Sequence, residues 1–215
     1  IVKIGIWTAE GLAVDWIGKN VYWVDSLLDQ IQVVNFEGTF TATVLKDDMH
    51  NLRALALDPA KGLMFWTDWQ EANPRIERAT MAGTDRKTLF RVLDVPSGGW
   101  PNGLVCDFSA ERLYWIDAKS DSVHTMTYDG FDVRLVLRDA HNMAHPFAIS
   151  VFENYIYWSD WRQTKIFRAN KWNGTNVAII EDTSNQPFDL KIVHSSRQPK
   201  AIKNPCLNNG ECSHL

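Results

Sequence analysis

Hydrophobic and polar residues alternate over short stretches of this chain, and turn-forming residues separate the stretches. In residues 31–36, for example, the apolar side chains mostly recur at alternate positions, which is the period of a strand with one buried face. No stretch of ten or more residues shows the 3.6-residue period of an amphipathic helix. Because Gly, Asn, Asp and Pro cluster at the breaks, the pattern predicts an all-β protein of short strands joined by tight turns.

A four-residue motif, aromatic–Trp–variable–Asp, occurs four times and divides the chain into units. The copies span residues 22–25, 65–68, 114–117 and 157–160, so their tryptophans are 43, 49 and 43 residues apart. The longer interval contains residues 95–101, a Gly/Pro-rich segment of the kind that accepts insertions. The repeated side chains are Tyr22, Trp23 and Asp25, then Phe65, Trp66 and Asp68, then Tyr114, Trp115 and Asp117, and finally Tyr157, Trp158 and Asp160.

Each copy of the motif also has the same flanks, which makes the repeat structural. An apolar segment lies about ten residues upstream, and an apolar residue followed by a turn glycine lies downstream. The glycines are Gly38, Gly83, Gly130 and Gly174. Four short antiparallel strands in a unit of 40 to 50 residues are typical of a β-propeller blade.

The motif predicts a packing role for each of its positions. We expect the aromatic residue to fill the space between neighbouring blades and the Asp to accept backbone N–H groups of adjacent turns. The third position holds Val24, Thr67, Ile116 or Ser159, which indicates a need for a compact side chain and no particular chemistry. A fourfold repetition is better explained by structure than by a single active site.

The two ends of the chain depart from the repeat. Residues 187–192 resemble the upstream segment of the fourth unit, but no motif follows, so we expect a last blade over 187–198 with a strand ending near Val193. Ile1 and Val2 fit the tail of an earlier unit. The sequence therefore predicts a partial propeller over 1–198 with its first blade mostly missing, and a linker over 199–203.

The last residues, 204–215, contain a different signal. Cys206 and Cys212 are separated by five residues that include Asn-Gly, as at the start of many epidermal-growth-factor-like (EGF-like) modules. A self-contained disulfide loop and a metal site are the alternatives. Cys106 lies in an apolar segment and is interpreted as a small buried hydrophobe. Asn173 begins an Asn-Gly-Thr glycosylation sequon on a predicted turn.

Composition and charge exclude several classes of function. The 215 residues are 45% hydrophobic and carry a formal net charge of −4, from 22 Lys and Arg against 26 Asp and Glu. Since no basic cluster forms a stripe, nucleic-acid binding is not expected. The apolar runs are only a few residues long, so the chain contains no predicted membrane segment, and it starts without a signal peptide.

Together these features resemble the low-density lipoprotein receptor family. The four motifs, the segments 100–103 and 144–147 that precede two units, and the terminal cysteine pair carry the resemblance. It implies a six-bladed Tyr-Trp-Thr-Asp propeller followed by an EGF-like module, in which Cys206 and Cys212 would bond to cysteines beyond Leu215. Segments such as 168–172 are most similar to the receptor-related members of that family.

The resemblance also implies a function and candidate site residues. It implies an extracellular, non-catalytic segment of an endocytic cell-surface receptor that supports ligand binding and acid-dependent release, without a cofactor of its own. Calcium is expected only in neighbouring cysteine-rich repeats, which are expected partners together with protein or lipoprotein ligands. Trp69, Trp100 and His145 match partner-binding positions of the family, whereas Asp121 stands where a second histidine is expected.

Two alternatives use the same fold. Matrix linkers of the nidogen type and growth-factor precursors carry similar propellers, and calcium-dependent propeller hydrolases form an enzyme class. No catalytic motif supports the hydrolase, because the remaining histidines show no spacing for a metal or a triad. They are His50, His124, His141, His194 and His214.

Overall fold

The computed structural model describes residues 6–200 and contains four sheets, each of four antiparallel strands. Each sheet is one blade, and consecutive strands pair in sequence order. Blade 1 contains β1 (Ala9–Asp15), β2 (Asn20–Asp25), β3 (Gln30–Asn35) and β4 (Thr41–Leu45). Blade 2 contains β5 (Leu52–Asp58), β6 (Leu63–Asp68), β7 (Arg75–Thr80) and β8 (Lys87–Arg91).

Blades 3 and 4 repeat this plan. Blade 3 contains β9 (Pro101–Asp107), β10 (Arg112–Asp117), β11 (Ser122–Thr127) and β12 (Arg134–Arg138). Blade 4 contains β13 (Pro146–Phe152), β14 (Tyr155–Asp160), β15 (Lys165–Asn170) and β16 (Ala178–Asp182). Short 3₁₀ helices cover Val92–Asp94 and Ser195–Arg197. The predicted all-β class, the four antiparallel strands of each unit and the insertion between blades 2 and 3 are confirmed.

The core lies between blades, as the motif predicts. Tyr22 of blade 1 and Trp66 of blade 2 share one cluster, and Phe65 of blade 2 and Trp115 of blade 3 share the next. Because adjacent side chains of a strand point to opposite faces, the first aromatic residue meets the following blade and the tryptophan meets the preceding one. The exception is Tyr157, which stays half-buried outside these clusters.

Turn glycines bring the blades close together. The third and fourth strands of each blade are joined by a turn whose glycine has a positive φ, which is 84° at both Gly83 and Gly130. Each of these two glycines also lies against the outer strand of the preceding blade. A Cβ atom added to Gly130 would stand 2.6 Å from the carbonyl oxygen of Leu89. The glycine is therefore required for the turn and for the contact between blades.

A buried ion pair joins blades 3 and 4. Lys171 Nζ lies 2.6 Å from Asp107 Oδ2, and both side chains are about 6% exposed. Burial by itself would raise the pKa of Asp107, but hydrogen bonds from Lys171 and Ser109 outweigh it and hold the pKa below its usual range. Cys106, next to this pair, is a buried free thiol, as predicted.

Every first strand contains a bulge near its start. The pairing register with the second strand shifts between Ala9 and Gly11, and equivalent shifts occur in the other blades. In blade 2 the N–H group that the bulge frees, at Ala54, donates to Thr67 Oγ1 at 2.9 Å, and Ser159 accepts from Ala148 in the same way. The hydroxyl group at the third motif position thus accepts a hydrogen bond from the bulge in two blades. The sequence had indicated only a need for a compact side chain there.

Residues 187–193 differ from their prediction. No strand is found there, because a strand requires a hydrogen-bonded neighbour and none of the sheets in residues 6–200 supplies one. The segment that follows packs instead on the far ends of the first strands. Arg197 donates to the carbonyl oxygen of Cys106 at 3.1 Å and lies over Phe108, while Trp16 donates to the carbonyl oxygen of Pro199. The predictions for residues 1–5 and 201–215, including Cys206 and Cys212, lie outside the described residues.

Candidate functional site

The motif aspartates organise one face of the molecule. Each carboxylate accepts backbone N–H groups from the loop before the first strand and from the hairpin after the second strand, as predicted. In all four blades a further backbone hydrogen bond joins the residue after the second strand, which donates, to the residue before the first strand, which accepts. The residues before the first strands are Thr8, Asn51, Trp100 and His145, and their partners after the second strands are Ser26, Trp69, Ala118 and Trp161. We call the surface formed by these eight residues the tryptophan face.

Two residues predicted to bind a partner are brought together on this face. The rings of Trp69 and Trp100 stack with their centroids 6.2 Å apart, one from blade 2 and one from blade 3. Arg53 also contacts Trp69, with its guanidinium 4.4 Å from the ring centroid. Arg53 also pairs with Glu10 at 2.8 Å. Trp69 therefore has two neighbours and is half-buried, whereas Trp100 remains 43% exposed and is the ring available to a partner.

Arg53 and Glu10 belong to the lining of a central cavity of about 360 Å³. The first-strand bulges place one side chain from each blade at this cavity: Glu10, Arg53, Asn102 and Phe147. Asn102 Nδ2 donates to the carbonyl oxygen of Pro146 in the next blade at 3.0 Å. The cavity thus combines both charges, an amide and an aromatic ring, which suits a protruding polypeptide segment.

His145, the third predicted partner-binding residue, lies in a separate aromatic cluster of blade 4. Its ring is 5.1 Å from that of Trp161, which in turn lies 5.9 Å from Phe188. Phe188 is 58% exposed and also borders the cavity. Trp161 follows the fourth motif as Trp69 follows the second, so the repeat itself could have identified it.

Asp121 is close enough to His145 for electrostatic coupling. Burial, followed by repulsion from Asp160 and Asp117, raises the pKa of Asp121, while Arg162 and His145 act in the opposite direction. Several carboxylates therefore share this part of the face, and a basic side chain of a partner would relieve their repulsion.

Blade 3 contains a serine–histidine contact that the sequence did not predict. Ser122 Oγ and His124 Nε2 are 2.8 Å apart, but the nearby Asp117 bonds to Ser120 and not to the histidine. Ser122 is fully buried and borders neither the central cavity nor a second pocket beside Asp107 and Lys171. The arrangement lacks both the order of a catalytic triad and access for a substrate.

His124 is expected to make the stability of the protein depend on pH. Burial lowers the pKa of His124 to about 4, below the ordinary value of 6.5. The unfolded chain therefore binds a proton at a higher pH than the folded protein, so stability falls as the pH drops from about 6.5 towards 4, by about 2 kcal/mol at pH 5. The free energy of unfolding measured in urea between pH 7.5 and 5 checks this.

His124→Gln, which introduces the residue found at the equivalent position 32, should reduce that pH dependence. His141→Gln, at an exposed site, is the control and should retain it. Equal slopes for both variants would show that another group is responsible.

The remaining candidate residues have simple surroundings. Asn173 lies on an exposed turn, and its Oδ1 accepts from Thr175 Oγ1 at 2.8 Å, so the sequon is accessible and glycosylation stays a prediction. Within residues 6–200, no three or more His, Cys, Asp and Glu side chains are grouped as a metal site would require. The same residues contain no helix of the length and hydrophobicity needed to cross a membrane.

Comparison with known proteins agrees with this architecture. Residues 19–59, 62–108 and 111–153 match the family model of the low-density lipoprotein receptor repeat class B. Over 215 residues the chain is 38% identical to the vitellogenin receptor of Solenopsis invicta and 37% identical to vitellogenin receptor Yl of Drosophila melanogaster. All of the chain is covered in both alignments, but only 12% and 10% of the respective receptors.

Solved structures show the same fold. A chain in the crystal structure of a nidogen/laminin complex matches with a TM-score of 0.77 and 25% identity, over 88% of this chain and 70% of that one. A virginiamycin B lyase from Staphylococcus aureus matches with a TM-score of 0.67 and 17% identity, over 84% of this chain and 58% of the lyase. At that identity the lyase is evidence for the fold alone.

Proposed function

Since the chain belongs to the low-density lipoprotein receptor repeat class B family, we propose that it is an extracellular propeller segment of an endocytic cell-surface receptor, and that its tryptophan face binds protein partners. The exposed ring of Trp100, stacked on the ring of Trp69 that Arg53 of the central cavity also contacts, is the observation that carries this proposal. Large aromatic side chains at the centre of an interface commonly supply most of the binding energy.

The chemistry of the face favours a basic side chain of the partner. Arg53 over Trp69 is an internal example of a cation on an indole ring, and the exposed part of the Trp100 ring offers a second such position. The carboxylates near Asp121 add attraction for a positive charge. Lysine-bearing cysteine-rich repeats of the same receptor and lipoprotein ligands are partners of this kind. The relatives are vitellogenin receptors, so vitellogenin is the first ligand to test.

Replacing Trp100 by alanine should weaken binding of a calcium-loaded cysteine-rich repeat about tenfold or more, because the exposed aromatic surface is lost. Binding is measured by isothermal titration on the intact protein. Trp172→Ala is the matched control, since Trp172 is 51% exposed but lies on a turn away from this face. If the two variants bind alike, the tryptophan face is not the binding surface.

The same titrations examine the role in acid-dependent ligand release. The family resemblance implies two histidines here, of which His145 is present and Asp121 replaces the other. Tighter binding of the repeat at about pH 5.5 than at about pH 7.4 supports release by competition within the receptor. Equal affinities would contradict that part of the proposal.

Other observations distinguish a receptor segment from the two alternatives, a matrix linker and a calcium-dependent hydrolase. A matrix linker with this propeller would lack the transmembrane helix and endocytic tail that a receptor carries elsewhere in its chain. A calcium-dependent hydrolase needs several oxygen ligands at the cavity, where Arg53 and Lys191 place positive charge beside Glu10 and Asp189. We therefore propose a non-catalytic role, which hydrolysis of a chromogenic ester that stops on chelation of calcium would overturn.

A further inference from the structure

Two of the four motif aspartates contact buried polar side chains in addition to accepting backbone hydrogen bonds. In blade 3, Asp117 Oδ2 accepts from the N–H groups of Gly99 and Trp100 at 2.7 and 3.0 Å. Its other oxygen, Oδ1, accepts from Ser120 Oγ at 3.1 Å. Ser120 contacts Ser122 at 2.6 Å, and Ser122 contacts His124 at 2.8 Å. A continuous hydrogen-bonded chain thus runs from His124 to the backbone of Trp100.

The direction of this chain follows from the available protons. The carboxylate of Asp117 only accepts, so the Ser120 hydroxyl must donate to it. The single hydroxyl proton of Ser122 is then required for the contact with Ser120. His124 must therefore donate from Nε2 to Ser122, and every donor points towards Asp117. A chain with all its donors aligned polarises each successive bond and fixes the carboxylate at its end.

Blade 2 achieves the same result with different residues. Arg75, at the position equivalent to Ser122, lies 3.1 Å from Asp68 Oδ2 and 3.2 Å from Glu77, which stands in the place of His124. Glu77 also pairs with Arg86 at 2.7 Å. Arg75 and Glu77 are buried, and Asp68 is fully buried. The carboxylate directly before Trp69 is therefore held by a side-chain network as well as by backbone groups.

Blades 1 and 4 lack such support within the described residues. Asp25 and Asp160 accept only from backbone N–H groups there. The two positions that hold Ser122 and His124 in blade 3 hold Gln30 and Gln32 in blade 1, and Lys165 and Phe167 in blade 4. The two supported aspartates are thus the two that hold the loops of the Trp69–Trp100 stack.

We propose that these two networks are positioning elements for the stack: Ser120, Ser122 and His124 fix the loop of Trp100 through Asp117, and Arg75 fixes the segment of Trp69 through Asp68. The inference rests on the proposed function, because it assigns residues that prepare the tryptophan face without touching a partner. A ring held in place before binding loses less conformational freedom on association, which raises affinity without a new contact.

Hydrogen exchange of the Gly99 and Trp100 amides tests the network of blade 3. Ser122→Ala interrupts the chain, so both amides should exchange about tenfold faster, as expected for the loss of one net hydrogen bond. The amides of Trp7 and Thr8, which Asp25 holds in blade 1, serve as an internal reference and should not change. Exchange is followed residue by residue by NMR on the intact protein.

Thr125→Val is the matched control. Thr125 lies on the same strand as Ser122 and is buried, but its hydroxyl donates to the carbonyl oxygen of Leu113, away from Asp117. If buried hydroxyls had only a general structural role, the amides of Gly99 and Trp100 would exchange equally fast in the Ser122→Ala and Thr125→Val variants. This result would overturn the proposal. Ser120→Ala, at a position closer to the surface, should reproduce the effect of Ser122→Ala if the latter folds poorly.

A titration with the calcium-loaded cysteine-rich repeat separates this inference from the proposed function. Faster exchange at Trp100 together with weaker binding supports both. Faster exchange with unchanged affinity supports the positioning network and contradicts a binding role for the tryptophan face. Unchanged exchange overturns the network whatever the affinity.

Discussion

Lys171→Met should lower the free energy of unfolding by about 3–5 kcal/mol, the usual cost of breaking a buried ion pair from one side. The substitution leaves the Asp107 carboxylate buried between blades 3 and 4 without the ammonium group that lies 2.6 Å from it. Methionine fills most of the space of the lysine stem, so the loss reports charge and not volume. Equilibrium unfolding in urea at neutral pH measures it.

A matched control is available in the same blade. Lys165 pairs with Asp182 at 3.3 Å, but the side chain of Asp182 is 73% exposed, so Lys165→Met should cost less than about 1 kcal/mol. The double variant Lys171→Met/Asp107→Asn should recover part of the loss, because no unpaired charge is then left inside. Equal effects of Lys171→Met and Lys165→Met would mean that the pair between the blades is solvated and contributes little.

Gly130→Ala is expected to destabilise the protein by about 2–4 kcal/mol, combining the strain of a positive φ with the cost of overpacking. The methyl group would stand 2.6 Å from the carbonyl oxygen of Leu89 and about 3.2 Å from two further backbone atoms of that residue. Since backbone cannot swing aside like a side chain, blades 2 and 3 must separate locally. Thermal or urea unfolding of the variant measures the effect.

Gly62→Ala isolates the conformational part of that cost. Gly62 also has a positive φ, 65°, but an added Cβ would meet nothing within 4 Å. We expect a loss of about 1–2 kcal/mol from strain alone. If Gly130→Ala costs no more than Gly62→Ala, the close approach of the blades at Gly130 does not constrain the fold.

The repeat made most of the architecture predictable from the sequence. Each motif fixes a second strand, and its spacing to apolar segments and turn glycines fixes the other three, because period-2 patterns and tight turns are local signals. The segment 187–193 was predicted incorrectly for the same reason. Its local pattern is that of a strand, but strand formation depends on a partner elsewhere in the fold.

The candidate site was less predictable. The sequence identified Trp69 and Trp100 through a family resemblance, but not that Arg53 occupies one side of Trp69, since that contact joins residues that no local pattern relates. The donors behind Asp117 were also missed. Ser120, Ser122 and His124 are separated by single residues, so their side chains share one side of a strand and its turn, yet only the three-dimensional distances distinguish such a chain from ordinary polar residues.

The bulge in each first strand places the side chains at the cavity apart from those that form the core. It directs one side chain per blade to the central cavity from the same backbone position, currently Glu10, Arg53, Asn102 and Phe147, while the aromatic core between the blades is built from other positions. Related propellers can therefore change the side chains at the cavity without rebuilding that core. A new ligand preference would then require Glu10 and Arg53 to change together, because they form an ion pair, and Asn102 to give up its hydrogen bond to the next blade.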